Sequence, residues 1–144
     1  MRNTIVSIVV SEGIQKVDEH AFSVCTGLQK ITLANTVSHI GKYAFVHCKA
    51  LTEIVFSSTL TRIGAWSFEG CKNLTNLTLP NSTTRIDYGA FMGCENLVNI
   101  YIPRKTRKIE AAVFNGCPNL TIHAPAGSYA EQYAKENNIP FVAE

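Results

Sequence analysis

The side chains with most chemistry in this chain are its thiols and imidazoles, and their spacing decides what they can do. Cys25, Cys48, Cys71, Cys94 and Cys117 recur at steps of 23 residues. A cysteine nucleophile needs an exposed thiolate and an oriented base, and His47 beside Cys48 invites that assignment. The strict register argues against it. Phe22, Phe45, Phe68, Phe91 and Phe114 keep the same step, as do Leu28, Leu51, Leu74, Leu97 and Leu120. A thiol that repeats in phase with phenylalanine and leucine reads as a small buried packing group. An odd number of cysteines leaves at least one unpaired. Stacked equivalents would also stand about 4.8 Å apart with parallel Cα–Cβ vectors, whereas a disulfide needs Cβ atoms about 3.8 Å apart and turned toward each other. His20, His39, His47 and His123 share no metal-ligand spacing, and no Cys-x-x-Cys occurs. The sequence therefore predicts no enzyme, with no catalytic, cofactor or metal site. A buried-thiol redox sensor is a weaker third reading, which thiol labelling tests.

Two other sets of residues repeat with the period. Lys16, His39, Arg62, Arg85 and Lys108 stand at equivalent positions, thickened at one end by Arg104, Lys105 and Arg107. Like charges about 4.8 Å apart repel, so the row suggests an anionic partner. Asp18, Asp87 and Glu110 lie close enough in sequence to neutralise it instead, and exposed charge is common enough to favour that outcome. The second set is the outward residues of the predicted strands: Lys30 with Thr32, Glu53 with Val55, Asn76 with Thr78, Asn99 with Tyr101, then His123. Repeat proteins bind through such surfaces because repetition gives area and curvature. Beside the basic row, His20, Tyr43 and Trp66 form a short aromatic row. It could stack on sugars, or lie half-buried over a turn.

A fixed period in this range is the mark of a solenoid, in which each unit buries its apolar face only by stacking on its neighbours. The unit reads Val37-x-x-Ile40-Gly41-x-x-Ala44-Phe45-x-x-Cys48-x-x-Leu51-x-x-Ile54-x-Phe56. Ile54 and Phe56 alternate with Glu53 and Val55, a period of two that predicts a short strand. Ile31/Leu33, Leu77/Leu79 and Ile100/Ile102 repeat it, so stacking should give one parallel sheet. Ala-Phe-x-x-Cys predicts a tight, 3₁₀-like turn on the opposite wall. Val17, Ile40, Ile63, Ile86 and Ile109 form a further inward column. Pro80 and Pro103 close strands because proline cannot donate to a ladder.

The single expected domain, 1–144, divides into a partial repeat (1–11), five repeats (12–124) and a cap (125–144). In the cap, Ser128 should N-cap a helix from Tyr129 to about Asn137, with Tyr129, Ala130, Tyr133 and Ala134 as its apolar stripe. At the other end, Ile5 to Val10 predicts an edge strand apolar on both faces. That implies self-association there, or a segment excised from a longer array. The start reads as the tail of a repeat and lacks the cleavage pattern of a secretion signal. Hydrophobic residues make up 46% and charged residues 17%, a globular composition. A net charge of +2 is too small to imply nucleic acid. No apolar run nears the roughly 18 residues of a membrane span, so no membrane insertion is expected.

The string Ile-Gly-x-x-Ala-Phe-x-x-Cys-x-x-Leu-x-x-Ile, carried by Ile40-Gly41, Ala44-Phe45, Cys48, Leu51 and Ile54, resembles the BspA-type leucine-rich repeat. Ile63-Gly64, Leu79-Pro80 and the closing segment from Ala126 to Glu131 extend the likeness over nearly the whole chain. The resemblance implies a right-handed leucine-rich-repeat solenoid, mostly β, with a C-terminal capping helix. It also implies a cell-surface or secreted setting and an adhesive role; taken with the basic row, the expected ligand is a protein or an acidic glycan. A structural segment of a longer surface array is the alternative. The pattern departs at Ser67 and Val113, which replace alanine, and at Thr83 and Thr106, which replace apolar residues. The asparagine ladder of other leucine-rich repeats is replaced by Thr36, Thr59, Ser82 and Lys105.

Overall fold

The structure is a computed structural model describing residues 4–144. It is a parallel β-solenoid with three walls per coil. One wall carries β1 (Ser7–Val10), β3 (Lys30–Leu33), β5 (Glu53–Val55), β7 (Asn76–Thr78), β9 (Asn99–Tyr101) and β11 (Thr121–Ala124). A second wall alternates with it along the chain: β2 (Lys16–Val17), β4 (His39–Ile40), β6 (Arg62–Ile63), β8 (Arg85–Ile86) and β10 (Lys108–Ile109). The chain closes with α1 (Tyr129–Glu136) and β12 (Phe141–Ala143). All pairing is parallel and in the register of the repeat, as in Lys16↔His39, His39↔Arg62 and Arg62↔Arg85.

The third wall is a run of turns, and its hydrogen bonds explain the shape. The expected 3₁₀-type bonds, from each donor to the residue three back, are present, but they alternate with bonds across coils. Ala44 N donates to Gly41 O and Val46 N to Tyr43 O within the coil, while Tyr43, Phe45 and His47 donate to Ala65, Ser67 and Glu69 of the next coil. A backbone that bonds alternately along and across the coil must change hand repeatedly. His20, Val24, Tyr43, His47, Trp66 and Ala112 accordingly take φ between +52° and +61°. The hydroxyls that replace the missing asparagine ladder do its work: Thr36, Thr59 and Ser82 donate to Ile14, Asn35 and Leu60 carbonyls at 2.6–2.8 Å.

In-register coils stack like on like, and the core follows. Phe22, Phe45, Phe68, Phe91 and Phe114 form a continuous parallel stack with ring centroids 5.3–6.0 Å apart. Each fully buried ring contributes roughly 1.5–3 kcal/mol through the hydrophobic effect. All five cysteines are free and buried beside it. The Cys48, Cys71, Cys94 and Cys117 thiols each donate to a phenylalanine carbonyl 26 residues earlier, at 3.2–3.3 Å. Thr83 and Thr106 are buried without penalty because their hydroxyls donate to the Leu60 and Thr83 carbonyls.

Three expectations need correction. The cap helix starts at its Ser128 N-cap as expected and ends at Glu136, with Asn137 as C-cap; Tyr129 stays 37% exposed while Ala130, Tyr133 and Ala134 are buried. After it the chain returns as β12, parallel to β11, a strand too short to show a period. The strand wall is not one sheet either. It divides into β1-β3-β5 and β7-β9-β11-β12. The division falls where Phe56 takes the place held by Leu33, Leu79 and Ile102. Its larger ring meets Phe68 edge-on, centroids 6.5 Å apart, and wedges the wall open. Ile54 and Phe56, expected inward, are half-buried in consequence.

Two measurements check this core. The Ser67 hydroxyl is buried without a hydrogen-bond partner, in a column that holds Ala44 and Ala90 in adjacent coils. Ser67→Ala removes an unsatisfied group and should raise the free energy of unfolding by about 1–2 kcal/mol in urea titration. Burial pushes the Cys71 and Cys94 thiols well above their ordinary range and Cys117 to about 11. An aromatic disulfide reagent at pH 8 should leave these three unmodified in the folded protein and react only after denaturation. Rapid labelling of the native state would reinstate the redox reading.

Candidate functional site

The repeating cations lie where the sequence places them, on the outer face of the second wall. Lys16, His39, Arg62, Arg85 and Lys108 are register partners across β2, β4, β6, β8 and β10. Their inward neighbours Val17, Ile40, Ile63, Ile86 and Ile109 are all buried, which fixes the strands and turns the cations outward.

The row is not uniform along the solenoid. Asp87 accepts from Arg62 Nε at 2.8 Å and from Arg85 Nε at 2.6 Å, while Arg85 Nη2 donates to Glu110 at 2.7 Å. The Asp87 side chain is only 8% exposed. Burial pushes its carboxyl up, but Arg85 and Arg62 outweigh burial and hold it below its ordinary value of 3.8. The expected neutralisation therefore holds at this end, by Asp87 and Glu110. At the other end, Lys16 and His39 make no ion pair among the described residues, Asp18 included. Lys108 makes none either. His39 takes only a hydrogen bond with Ser38, at 2.8 Å.

The aromatic row lies beside the unneutralised end. His20 stacks on Tyr43 at 4.8 Å and Tyr43 on Trp66 at 5.0 Å, with rings within 12° of parallel. Tyr43 and Trp66 are half-buried over the turn as expected, and His20 is exposed. Lys42, which the sequence did not single out, sets its ammonium 5.5 Å from the Tyr43 ring centroid and 5.3 Å from that of Trp66. Between rings and cations runs a groove of about 350 Å³, whose lining includes Lys16, Glu19, His39, Lys42, Arg62, Trp66 and Asp87. Lys42 belongs to no repeating column, so only the fold brings it to the site.

The second candidate face is occupied by its own contacts. Lys30 pairs with Glu53 at 3.4 Å. Asn99 donates to Asn76 at 2.8 Å and shares a 2.7 Å hydrogen bond with His123, whose other ring nitrogen lies 2.9 Å from Glu144. Tyr101 stacks on His123 at 4.3 Å. The break between β5 and β7 separates Thr32, Glu53 and Val55 from Asn76, Thr78, Asn99 and Tyr101, so these residues do not form one continuous surface. Among the described residues no cluster of histidine, cysteine or carboxylate could hold a metal ion.

A family model for the BspA type leucine rich repeat region matches residues 1–121 in six copies. The fold is similar to that of a leucine rich cell surface protein from Faecalibacterium prausnitzii A2-165, with 34% identity, a TM-score of 0.81, and coverage of 89% of this chain and 34% of that one. A leucine rich repeat protein of T. pallidum is similar at 26% identity and a TM-score of 0.80, covering 83% of this chain and 58% of that one. One from Bacteroides ovatus is 26% identical with a TM-score of 0.74, covering 96% and 42%. The chain thus spans between about a third and three-fifths of the length of these proteins. No curated protein matches it.

The Asp87 arrangement makes a pH-dependent prediction. A carboxyl held below its ordinary value adds stability above that value and loses it as pH falls through the folded pKa. Asp87→Asn should lower the urea midpoint at pH 7, and the gap to the parent protein should close as pH falls below 3.8 and through the lowered folded value. A gap independent of pH would mean that Asp87 acts by packing alone.

Proposed function

The chain belongs to the BspA-type leucine-rich repeat family, and on that premise we propose that it is a non-enzymatic binding module that takes an acidic glycan in the groove between its cation row and its ring row. A cell-surface setting, carried over from the F. prausnitzii protein described as a leucine rich cell surface protein, suits such a ligand. The observation that carries the reading is where the rings sit. His20, Tyr43 and Trp66 have φ of 60°, 58° and 52°. A left-handed conformation costs a side-chain-bearing residue roughly 1–2 kcal/mol; the turn imposes it on Val24, His47 and Ala112 as well, so what sets these three positions apart is that they hold rings. Gly89 holds the equivalent place one coil on, at φ +62°, so the turn does not need a ring there.

Each part of the groove has a role in this reading. Because the rings cover one another's faces, it is the outer edges of the row that offer apolar area to a sugar. Lys16, His39 and Lys42 supply charge for a sulfate or carboxylate: none of them is held in an ion pair among the described residues, although Glu19 lines the same groove. An adhesive array held together by self-association is the second reading. It is supported by β1, the outer strand of its sheet, which leaves Val6 and Val9 52% and 68% exposed.

Trp66 is the only tryptophan, so its fluorescence reports on the groove directly. A sulfated hexasaccharide should shift that emission, and an uncharged hexasaccharide of equal length should not. Lys16→Glu with Lys42→Glu should weaken the sulfated probe by about tenfold or more in calorimetry. Trp66→Gly should stay folded, as Gly89 does at its own position, and lose binding. Equal response to both sugars, or none to either, would overturn the assignment.

A further inference from the structure

The break in the strand wall leaves two ladder edges facing each other inside the molecule. At each of the other steps along that wall the coil entry is hydrogen-bonded: Gln29 N to Val6 O, Thr52 N to Gln29 O, Val98 N to Thr75 O and Thr121 N to Val98 O. Among the described residues no bond joins Thr75 or Asn76 N to Thr52 O, and none joins Phe56 N to Thr78 O, although Leu79 N and Ile102 N make the corresponding bonds to Tyr101 and His123. β5 and β7 do not pair. On the opposite side the ladder runs unbroken through β4, β6 and β8, so the two halves stay joined while this wall gapes.

We propose that this opening is an acceptor for one extended peptide strand, which pairs with β5 on one side and β7 on the other. The occupant follows from the chemistry of the walls. Both edges present alternating N–H and C=O groups, and only an extended backbone offers matching donors and acceptors to both at once. A strand between two neighbours needs about 9.5 Å, twice the ordinary spacing, and β5 and β7 stand too far apart to pair with each other directly. Such a guest is continuous with both existing sheets and joins three strands to four.

The side chains set its sequence. Level with Ile54 and Phe56 the guest faces the half-buried apolar gap, where Ile31, Leu33, Leu77 and Leu79 are buried in neighbouring coils. Level with Glu53 and Asn76 it faces solvent. A parallel segment alternating β-branched apolar with small polar residues satisfies both faces. This site is on a different wall from the groove assigned above and does not depend on it.

Hydrogen–deuterium exchange tests the proposal with an acetylated, amidated hexapeptide of alternating threonine and valine. In the free protein, the amides of β5 and β7 that face the gap should exchange faster than those of β3 and β9. At a peptide concentration about 100 times its Kd, their exchange should slow by about a hundredfold. The same peptide N-methylated at alternate residues should not protect them. Phe56→Leu restores the side chain size of Leu33 and Leu79, so it should close the gap, protect β5 and β7 without peptide, and abolish peptide binding. Slow exchange of β5 and β7 in the free parent protein would overturn the proposal. So would unchanged binding by the N-methylated peptide or by Phe56→Leu.

Discussion

Every other feature of this molecule depends on backbone hydrogen bonds that hold neighbouring coils in register, 22 to 24 residues apart, around most of each turn. The short strands, the longer strands and the turns all make such bonds, so a coil has almost no freedom to slide over its neighbour. Identical positions are then forced into contact. Phenylalanine lies on phenylalanine, thiol beside thiol, hydroxyl against the carbonyl below. Contacts of this kind add up along one axis, and each coil is stabilised only by the two that flank it.

The same forced contact makes unlike demands on polar residues. Stacked hydroxyls and amides satisfy one another, as Asn76, Asn99 and His123 do. Stacked cations cannot. Around Arg62 and Arg85 the difficulty is met by one nearly buried carboxylate shared between two guanidinium groups. Toward Lys16 nothing comparable intervenes, and there three rings and a further lysine gather instead. The row is thereby uneven along the axis: a self-contained electrostatic network surrounds Arg62 and Arg85, while Lys16, His39 and Lys108 on either side stand outside any ion pair among the described residues.

How much of this was legible in the sequence depends on whether a feature repeats. The phenylalanine, cysteine and isoleucine columns announce themselves because each copy restates them, and so do the in-register cations. The two-residue strands such as Arg62–Ile63 are too short to show a period, as is Phe141–Ala143 after the helix. Left-handed φ at Tyr43 and Trp66 leaves no mark, since aromatic residues rarely adopt it and nothing in their type foretells it. The parted strand wall traces to one exchange within the apolar class, a phenylalanine at position 56. Patterns of hydropathy cannot register a change in ring volume. Lys42 escaped because the groove unites residues of separate coils, which no linear spacing encodes.

The Phe stack ends differently from the way it propagates. Tyr133 of α1 meets Phe114 at 69° with centroids 6.3 Å apart, where the other rings of the stack lie within 15° of parallel. Parallel rings offer the next coil a surface shaped like the one they rest on, so each is a template. A perpendicular ring offers an edge. The helix therefore acts as a stop signal written in geometry: the column of rings is a counted number of units at that end, and not the start of an open-ended polymer.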